Sequence, residues 1–386
     1  GVATALHVAE RGASVALLEA GAIAGRASGR NDGQLLLGLG EHYHRIHGQF
    51  GARRARLLWD FLRDNHVALR QRLGIGLGLR SVPCDFAQLG GLRLAETPHE
   101  WTELEQAAEL LTAERRPFEL VASRDLARWL PLGEGFHGAL HLPEEAVVQP
   151  VLMVRGLAGL ALEHGARLVE HAPVRRITGE AGEFAIEIEG GRTLHCAVIV
   201  HCTSALGREL DSSGLLARTV FPFRGQVIAT EPLPLELSSR FPPYAMSSNF
   251  CYEYFRMHRG RFVIGGMRWS VPGEELDTVD DSVVNPAISD NLRAYVARHF
   301  PALAGLEFPH AWTGIMAGTP DGLPLVGPLP QNPGQFALLA FNGYGLSFAY
   351  LAAKNLADAI LDTGEQHAAM ALFQPRRFAE AALGSD

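Results

Sequence analysis

The fold is decided by the first stretch of the chain, GVATALHVAERGASVALLEA (residues 1–20). Apolar residues recur at helical spacing through its first half, and Gly12 predicts where that helix ends. Residues 15–18 form a short apolar run that favours a strand buried on both faces, ending at Glu19. A helix, a glycine turn and an acid-tipped strand are together typical of the second half of a dinucleotide-binding βαβ unit.

The spacing between Gly1 and Glu19 aligns this stretch with the glycine motif of such units. In such units the acid follows the third glycine of G-x-G-x-x-G by ~20 residues and accepts hydrogen bonds from the adenosine ribose. We therefore predict that Gly1 is the third glycine, that Glu19 and Ala20 lie beside the ribose, and that a buried strand and two glycines precede residue 1. An ordinary helix–strand pair with a solvated acid explains the segment equally well.

Composition and charge exclude several classes of protein. At 386 residues the chain has mass for two or three domains, and 47% hydrophobic with 20% charged residues indicates a globular protein with an ample core. A net charge of −8 argues against nucleic acid or an anionic membrane surface as the main partner. The four cysteines form no CxxC pair, which favours reduced thiols and a cytoplasmic protein.

One apolar stretch, residues 336–353, has the length of a membrane span. Asn342, Gly343 and Gly345 interrupt it, which favours a buried strand, a glycine turn and a helix instead. We therefore predict no integral membrane segment.

The order of elements predicts an α/β fold of mixed α+β character. Amphipathic helices are expected at 51–73, 99–116 and 151–165, with a hairpin turn at 189–191. Residues 220–269 alternate apolar and polar in short runs, which favours an antiparallel sheet.

Nucleotide-binding character returns in three separated parts of the chain, so we predict two interleaved domains. The first comprises residues 1–83, 146–215 and 310–386, and the second comprises residues 84–145 and 216–309.

Seven motifs, in this order, carry a resemblance to a known family. They are LLEAGAIAGRASGRNDGQ (17–34), APVRRI (172–177), AVIVHCTSA (197–205), FRGQVIATEPLP (223–234), RFVIGGMR (261–268), TPDGLPLVGPL (319–329) and FNGYGLSFAYLAAKNLADAI (341–360). Nearly the whole chain resembles the D-amino-acid-oxidase-like superfamily of FAD-dependent oxidoreductases, in a pattern similar to amine oxidases of the γ-glutamylputrescine oxidase and glycine oxidase types. The resemblance implies a Rossmann-like FAD-binding domain interleaved with an antiparallel-sheet substrate or cap domain.

The resemblance also implies noncovalent FAD, with residues of the first motif along it. That motif combines small residues with hydrogen-bonding side chains, as close approach to a flavin nucleotide requires. Family members more often have glycine where this chain has Asp32. The implied cofactor contacts beyond Gly1, Glu19 and Ala20 are Ser28, Arg30, Asn31, Gly33, Gln34, Val174, Thr203, Gly314, Gly343, Tyr344, Gly345 and Leu346.

The segment 343–346 is expected to open a helix whose free N–H groups favour the negative charge of a reduced flavin. The family often has histidine where this chain has Tyr344. Tyr344 keeps an aromatic ring at this position but lacks the positive charge that a histidine could carry.

Met316 is the departure from the family pattern that says most about the substrate. Amino-acid-oxidising relatives tend to have arginine there, whose planar guanidinium can hold an α-carboxylate in bidentate fashion, whereas methionine cannot. Methionine therefore favours an amine or a longer N-substituted compound, although Arg224, Arg256 or Arg268 are other possible carboxylate partners. Tyr252 and Tyr254 are predicted to share one strand face and, with Arg268 and Tyr344, to line the substrate pocket; tyrosines that only pack a sheet are the alternative.

We predict no metal site. His42, His44 and His47 lack a partner with ligand spacing, and a solvated helix face is the simpler interpretation.

Together these features predict an enzyme that oxidises a C–N bond of a small-molecule amine. The hydride passes to flavin N5, the imine hydrolyses, and oxygen or another acceptor reoxidises the flavin. One alternative is a 2-hydroxy-acid dehydrogenase that passes electrons to a quinone or a protein. Another is a truncated, FAD-free chain without redox activity. The oligomeric state is left open.

Overall fold

The computed structural model describes residues 1–74 and 81–381. In this part of the chain the helices are α1 Val2–Glu10, α2 Ala27–Arg30, α3 Tyr43–Phe50, α4 Ala52–Arg72, α5 Pro98–Ala113, α6 Pro150–Glu163, α7 Leu215–Thr219, α8 Leu235–Ser238, α9 Pro286–His299, α10 Gly345–Leu361 and α11 Arg376–Ala381. None of these helices combines the length and apolar character that crossing a membrane needs.

The strands alternate with these helices and form several sheets. They are β1 Ala16–Leu18, β2 Gln34–Leu35, β3 Gly91–Ala95, β4 Glu119–Ala122, β5 Gly138–Leu142, β6 Ala146–Val147, β7 Arg167–Val169, β8 Val174–Thr178, β9 Phe184–Ile188, β10 Arg192–Cys196, β11 Ile199–His201, β12 Phe221–Ala229, β13 Ala245–Ser248, β14 Glu253–His258, β15 Arg261–Gly265, β16 His310–Gly318, β17 Leu325–Pro328 and β18 Gln335–Leu339.

Parallel pairs join the three parts of the predicted nucleotide-binding domain. Strand β1 pairs in parallel with β7, and β11 pairs in parallel with β18. Helix α1 packs against both α6 and α10. Each contact joins segments far apart in sequence, as crossover connections between parallel strands require.

An eight-stranded sheet forms the second layer, in the order β16-β12-β15-β14-β13-β3-β5-β4. The predicted antiparallel pairing holds within 220–269, but the sheet as a whole is mixed, because β13 and β3 run parallel. Strand β16 pairs with β12 along its whole length. The predicted boundary at residue 310 therefore separates two strands of one sheet, and the domain division stays a prediction.

Two large hydrophobic clusters hold these layers. One packs α4, α5 and α10 together around Phe61, Leu104 and Phe348. The other packs α9 on the eight-stranded sheet around Phe255 and Tyr295. All five side chains are buried, and complete burial of one such side chain contributes ~1.5–3 kcal/mol. The cores thereby hold the strand ends and helix starts that surround the site described next.

The predicted helices and the fold class are confirmed. Helix α1 ends at Glu10, just before Gly12, and α10 begins at Gly345 after the glycine turn. Helices α4, α5 and α6 lie within two or three residues of their expected bounds.

Candidate functional site

A cavity of about 630 Å³ lies where these layers meet. Its walls come from the start of α1, residues 27–41, strands β12 and β16, and the start of α10. This volume is within the range of roughly 300–1,000 Å³ that holds small molecules and cofactors.

Most of the predicted site residues line this cavity. On the cofactor list they are Gly1, Ser28, Arg30, Asn31, Gln34, Gly314, Gly343, Tyr344, Gly345 and Leu346, and on the substrate list they also include Tyr252, Tyr254, Arg268 and Met316. Residues from both ends of the sequence thus converge on one space. Their roles toward a cofactor or substrate stay predictions.

The remaining predicted residues lie outside the cavity lining. They are Glu19, Ala20, Gly33, Val174 and Thr203. Glu19 follows β1 directly, and its Oε1 accepts a hydrogen bond from the backbone N–H of Gly21 at 2.8 Å. Val174 begins β8, and Thr203 follows Cys202, which does line the cavity.

Two helix starts open onto the cavity. Helix α1 follows Gly1 and α10 follows Tyr344, and neither has a side-chain cap on its N-terminal N–H groups. A Cβ at Gly1 would lie 3.2 Å from Leu17 Cδ1 and 3.6 Å from Cys202 Cβ, so glycine leaves this helix start open. Free N–H groups and positive helix ends suit the pyrophosphate and the reduced ring of FAD, so the residues present fit this cofactor.

Polar side chains of the 27–34 segment mostly hold the segment itself. Asn31 Nδ2 donates to the Ala27 carbonyl at 2.9 Å, and Asn31 Oδ1 accepts from the Gly33 N–H at 2.9 Å. Arg30 pairs with Asp281 at 2.8 Å and donates to the Thr313 carbonyl at 3.1 Å. Asn31 Nδ2 and Arg30 Nη1 are thus engaged, and the Arg30 bond to Thr313 holds the loop against β16.

Asp32 and Gln34 differ from these residues. Within the described residues Asp32 Oδ2 and Gln34 Oε1 are buried without a hydrogen-bond partner, although the Asp32 carboxyl also accepts hydrogen bonds from Gln34, and both residues line the cavity. Burial raises the pKa of the Asp32 carboxyl, and the nearby Arg256 guanidinium opposes this shift. Sequence reasoning missed Asp32 as a site residue, and its one signal was a carboxylate where the family usually has glycine.

Met316 and Tyr254 lie close together in the cavity wall. A Cβ at Gly225 would lie 2.7 Å from Met316 Cε and 3.7 Å from Tyr254 Oη, and a Cβ at Gly343 would lie 3.5 Å from Met316 Sδ. Burial raises the pKa of Tyr254 and that of Tyr344, so both hydroxyls keep their protons.

Tyr252 corrects one expectation. Strand β14 begins at Glu253, because Asn249, Phe250 and Cys251 all have left-handed backbone (φ 46°, 57° and 64°) and turn the chain before it. Tyr252 therefore does not share a strand face with Tyr254, although both line the cavity.

Each arginine named as a possible carboxylate partner already makes a contact, but Arg256 Nε is buried without a hydrogen-bond partner in the described chain. Arg268 pairs with Glu274 at 3.2 Å, and Arg224 Nε donates to Glu275 at 2.5 Å. Arg256 is buried, and its Nη2 donates to the Val148 carbonyl at 2.9 Å.

A buried ion pair, which sequence reasoning missed, lies next to the cavity. Arg93 Nη2 is 2.6 Å from Glu145 Oε1, and both side chains are almost fully buried. Arg93 Nη1 also donates to the Glu41 carbonyl at 3.0 Å and contacts Cys251 Sγ at 3.4 Å. These bonds tie the 37–41 segment to β3.

The histidine interpretation needs a correction for one residue. His42 is buried, not solvated, because it packs against Phe250 and lies 3.6 Å from Glu100 Oε1. In the described ranges no cluster of histidine, cysteine or carboxylate side chains could hold a metal ion.

The fold and the two open helix starts are those of a protein that binds a nucleotide cofactor. Comparison with known proteins agrees: the family model "FAD dependent oxidoreductase" (DAO) matches residues 1–359. The chain belongs to this family of FAD-dependent oxidoreductases, and FAD is its cofactor.

Two characterised relatives are similar in sequence. Gamma-glutamylputrescine oxidoreductase of Escherichia coli (strain K12) is 26% identical over 377 residues, covering 96% of this chain and 83% of the relative. Glycine oxidase of Geobacillus kaustophilus (strain HTA426) is 26% identical over 295 residues, covering 76% and 73%.

Solved structures show the same fold. The glycine oxidase from Geobacillus kaustophilus superposes with a TM-score of 0.78 at 21% identity, covering 98% of this chain and 95% of that one. The L-proline dehydrogenase from P. horikoshii superposes with a TM-score of 0.79 at 19% identity, with the same coverage.

Proposed function

We propose that this enzyme oxidises a C–N bond of an amine or N-substituted amino compound. Its relatives by name act on gamma-glutamylputrescine and glycine, which both present such a bond. Bound FAD would accept the two electrons, and the imine formed from the amine would then hydrolyse.

One observation carries the preference for an amine over an α-amino acid: each arginine in the cavity lining already has a carboxylate partner. This lining, in the part of the chain that the structure describes, includes two arginines and no lysine or histidine. Arg30 pairs with Asp281, and Arg268 pairs with Glu274. Met316 is neutral, so an α-carboxylate would be desolvated there without a partner, at a cost of several kcal/mol.

The chain's own residues orient the reactants. The open starts of α1 and α10 suit the phosphates and the electron-rich ring edge of the cofactor. The wall of Met316 and Tyr254 is mostly apolar and excludes water from the reacting carbon.

The test compares pairs of compounds that differ only by the α-carboxylate. Purified holoenzyme is mixed without oxygen with propylamine or 2-aminobutyrate, and with benzylamine or phenylglycine, while the flavin absorbance is followed. We expect each amine to bleach the flavin with at least about tenfold higher kcat/KM than its carboxylated partner. Equal rates for both partners would contradict the preference.

Two further outcomes would favour one of the alternative functions. Bleaching by 2-hydroxybutyrate but not by amines would favour the hydroxy-acid dehydrogenase. A protein that stays colourless after addition of FAD would favour the nonredox alternative. Hydrogen peroxide formed in air identifies oxygen as an acceptor.

A further inference from the structure

Helix α2 (Ala27–Arg30) forms part of the cavity wall, although little packing holds it there. Ala27, Ser28 and Arg30 all line the cavity. The helix has only four residues, and none of its side chains is buried among the described residues. A helix this short is not stable by itself and depends on tertiary contacts. Since apolar burial contributes little here, the position of α2 depends largely on polar contacts with other parts of the chain.

Asp281, 251 residues after Arg30, supplies the charged contacts. Its two carboxylate oxygens accept hydrogen bonds from Arg26 Nη1 at 2.5 and 2.6 Å, and its Oδ2 also lies 2.8 Å from Arg30 Nη1. The Asp281 side chain is only 11% exposed, so water and salt screen these ion pairs less than pairs on an open surface. Arg26 is the N-cap of α2 and Arg30 is its last residue, so one carboxylate holds both ends of the helix.

Asp281 is itself fixed on the eight-stranded sheet. Its carbonyl accepts a hydrogen bond from Thr313 Oγ1 at 2.8 Å, and the neighbouring Asp280 carbonyl accepts one from Arg224 Nη1 at 2.8 Å. Thr313 belongs to β16 and Arg224 to β12, the two strands at one edge of this sheet. Both strands contribute residues to the cavity lining. Asp281 therefore connects α2 to the strands that form another wall of the same cavity.

We propose that Asp281 is a positioning residue for the cofactor: through Arg26 and Arg30 it keeps α2 in the cavity wall and so determines how tightly FAD is retained. Without this carboxylate, two neighbouring guanidinium groups lose their shared partner and repel each other. When a binding site is formed in only a fraction of the molecules, the apparent Kd rises by the inverse of that fraction. FAD retention does not depend on which substrate the enzyme oxidises, so failure of the proposed amine oxidation would leave this role intact.

The test measures FAD release from the holoenzyme and needs no substrate. The holoenzyme is diluted in steps, bound and free flavin are separated by ultrafiltration, and the free FAD is measured by its fluorescence. We expect Asp281→Asn to raise the Kd of FAD about 10- to 100-fold, as expected if α2 stays in place in about 1–10% of the molecules. Asp281→Glu retains the charge and should bind FAD at least about fivefold more tightly than Asp281→Asn.

Glu275→Gln is the matched control on the same segment. Glu275 is as buried as Asp281, at 9% against 11% exposure, and it pairs with Arg224. Phe223 and Gly225 line the cavity, so the Arg224 side chain lies on the opposite face of β12. Urea unfolding should show that Glu275→Gln destabilises the fold, as Asp281→Asn also does. Its Kd for FAD should nevertheless stay within about threefold of the wild type, whereas a role in stability alone would change Kd equally in both variants.

Arg26→Gln tests the same contact from its exposed side. The Arg26 side chain is 52% exposed and lies outside the cavity lining, so this variant should fold even if Asp281→Asn does not. We expect the Kd of FAD to rise about two- to fivefold, since a half-exposed partner contributes less. The double variant should bind FAD no more weakly than Asp281→Asn alone, because both changes remove one interaction.

Three results would overturn the inference. The first is an unchanged Kd of FAD in Asp281→Asn, or in Arg26→Gln if Asp281→Asn does not fold. The second is an equal rise of Kd in Glu275→Gln, as expected if the whole segment and not the Asp281 carboxylate holds α2. The third is an Asp281→Glu variant that binds FAD as weakly as Asp281→Asn.

Discussion

The hydroxyl of Tyr344 occupies the space that a side chain at Gly40 would need. Gly40 has left-handed backbone (φ 67°), and a Cβ placed on it would overlap the Tyr344 Oη. The contact joins the 37–41 segment to the N-cap of α10, two walls of the same cavity.

Replacing Gly40 should therefore cost more than backbone strain alone. Gly40→Ala adds an overlap of ~1–3 kcal/mol to the ~1–2 kcal/mol that a left-handed non-glycine residue costs. Gly12→Ala is the control, because Gly12 has φ 77° and a Cβ there would meet no atom of the described chain within 4 Å. Urea unfolding should show Gly40→Ala as the more destabilised variant; equal losses would mean that Tyr344 moves aside freely.

The Arg93–Glu145 ion pair should be essential to stability. Arg93→Met leaves Glu145 buried without its partner, and breaking such a pair costs about 3–5 kcal/mol. The matched control is Arg175→Met, since Arg175 and Glu189 lie 2.7 Å apart but are both more than half exposed. Chemical denaturation should show a loss below about 1 kcal/mol there, and a comparably small loss at Arg93 would refute the assigned role.

Glu253 should make stability decrease as pH rises. Its side chain is fully buried, Oε1 accepts from Trp269 Nε1 at 2.7 Å, and burial raises its pKa to about 7. Between its unfolded pKa of about 4.3 and this value the folded state binds the extra proton, so its contribution is complete at low pH and is lost as pH rises through 7.

The linked change is about 4 kcal/mol. Glu253→Gln should remove this decline and be the more stable protein at pH 8 by roughly 2 kcal/mol. Unfolding free energies measured from pH 4 to 8 provide the check, with the exposed Glu183→Gln as control. A variant whose pH profile parallels that of the wild type would contradict the assignment.

Met316→Arg should shift the enzyme toward α-amino acids. A guanidinium on this wall can hold an α-carboxylate in bidentate fashion, and the kcat/KM ratio of 2-aminobutyrate to propylamine should rise about tenfold or more. Met316→Leu conserves the volume without a charge and should leave that ratio unchanged. A ratio that moves equally in both variants would indicate a steric effect and not carboxylate binding.

Much of the local structure followed from short-range patterns. The end of α1 before Gly12 and the start of α10 after the interrupting Asn342 and Gly343 depend on residues within a few positions of each boundary. The family and its cofactor likewise followed from contiguous motifs. Such features depend on backbone preference and side-chain periodicity, which neighbouring residues already determine.

The state of each polar group was decided only by the tertiary structure. Whether Arg268 was free for a carboxylate depended on Glu274, and whether Arg30 was free depended on Asp281, which lies in a distant segment. The left-handed turn before Glu253, which separates Tyr252 from β14, was equally invisible in the alternation of residues.

Gln34 shows the physical reason most directly. Its sequence neighbours identify a polar residue after a glycine, but its amide is oriented by the carbonyls of Met246 and Phe255, which only the folded sheet brings to it. Hydrogen-bond partners and desolvation depend on what packs opposite a side chain. The sequence by itself thus determined the elements, the family and the cofactor, whereas the tertiary structure decided which charges and acceptors remain for a substrate.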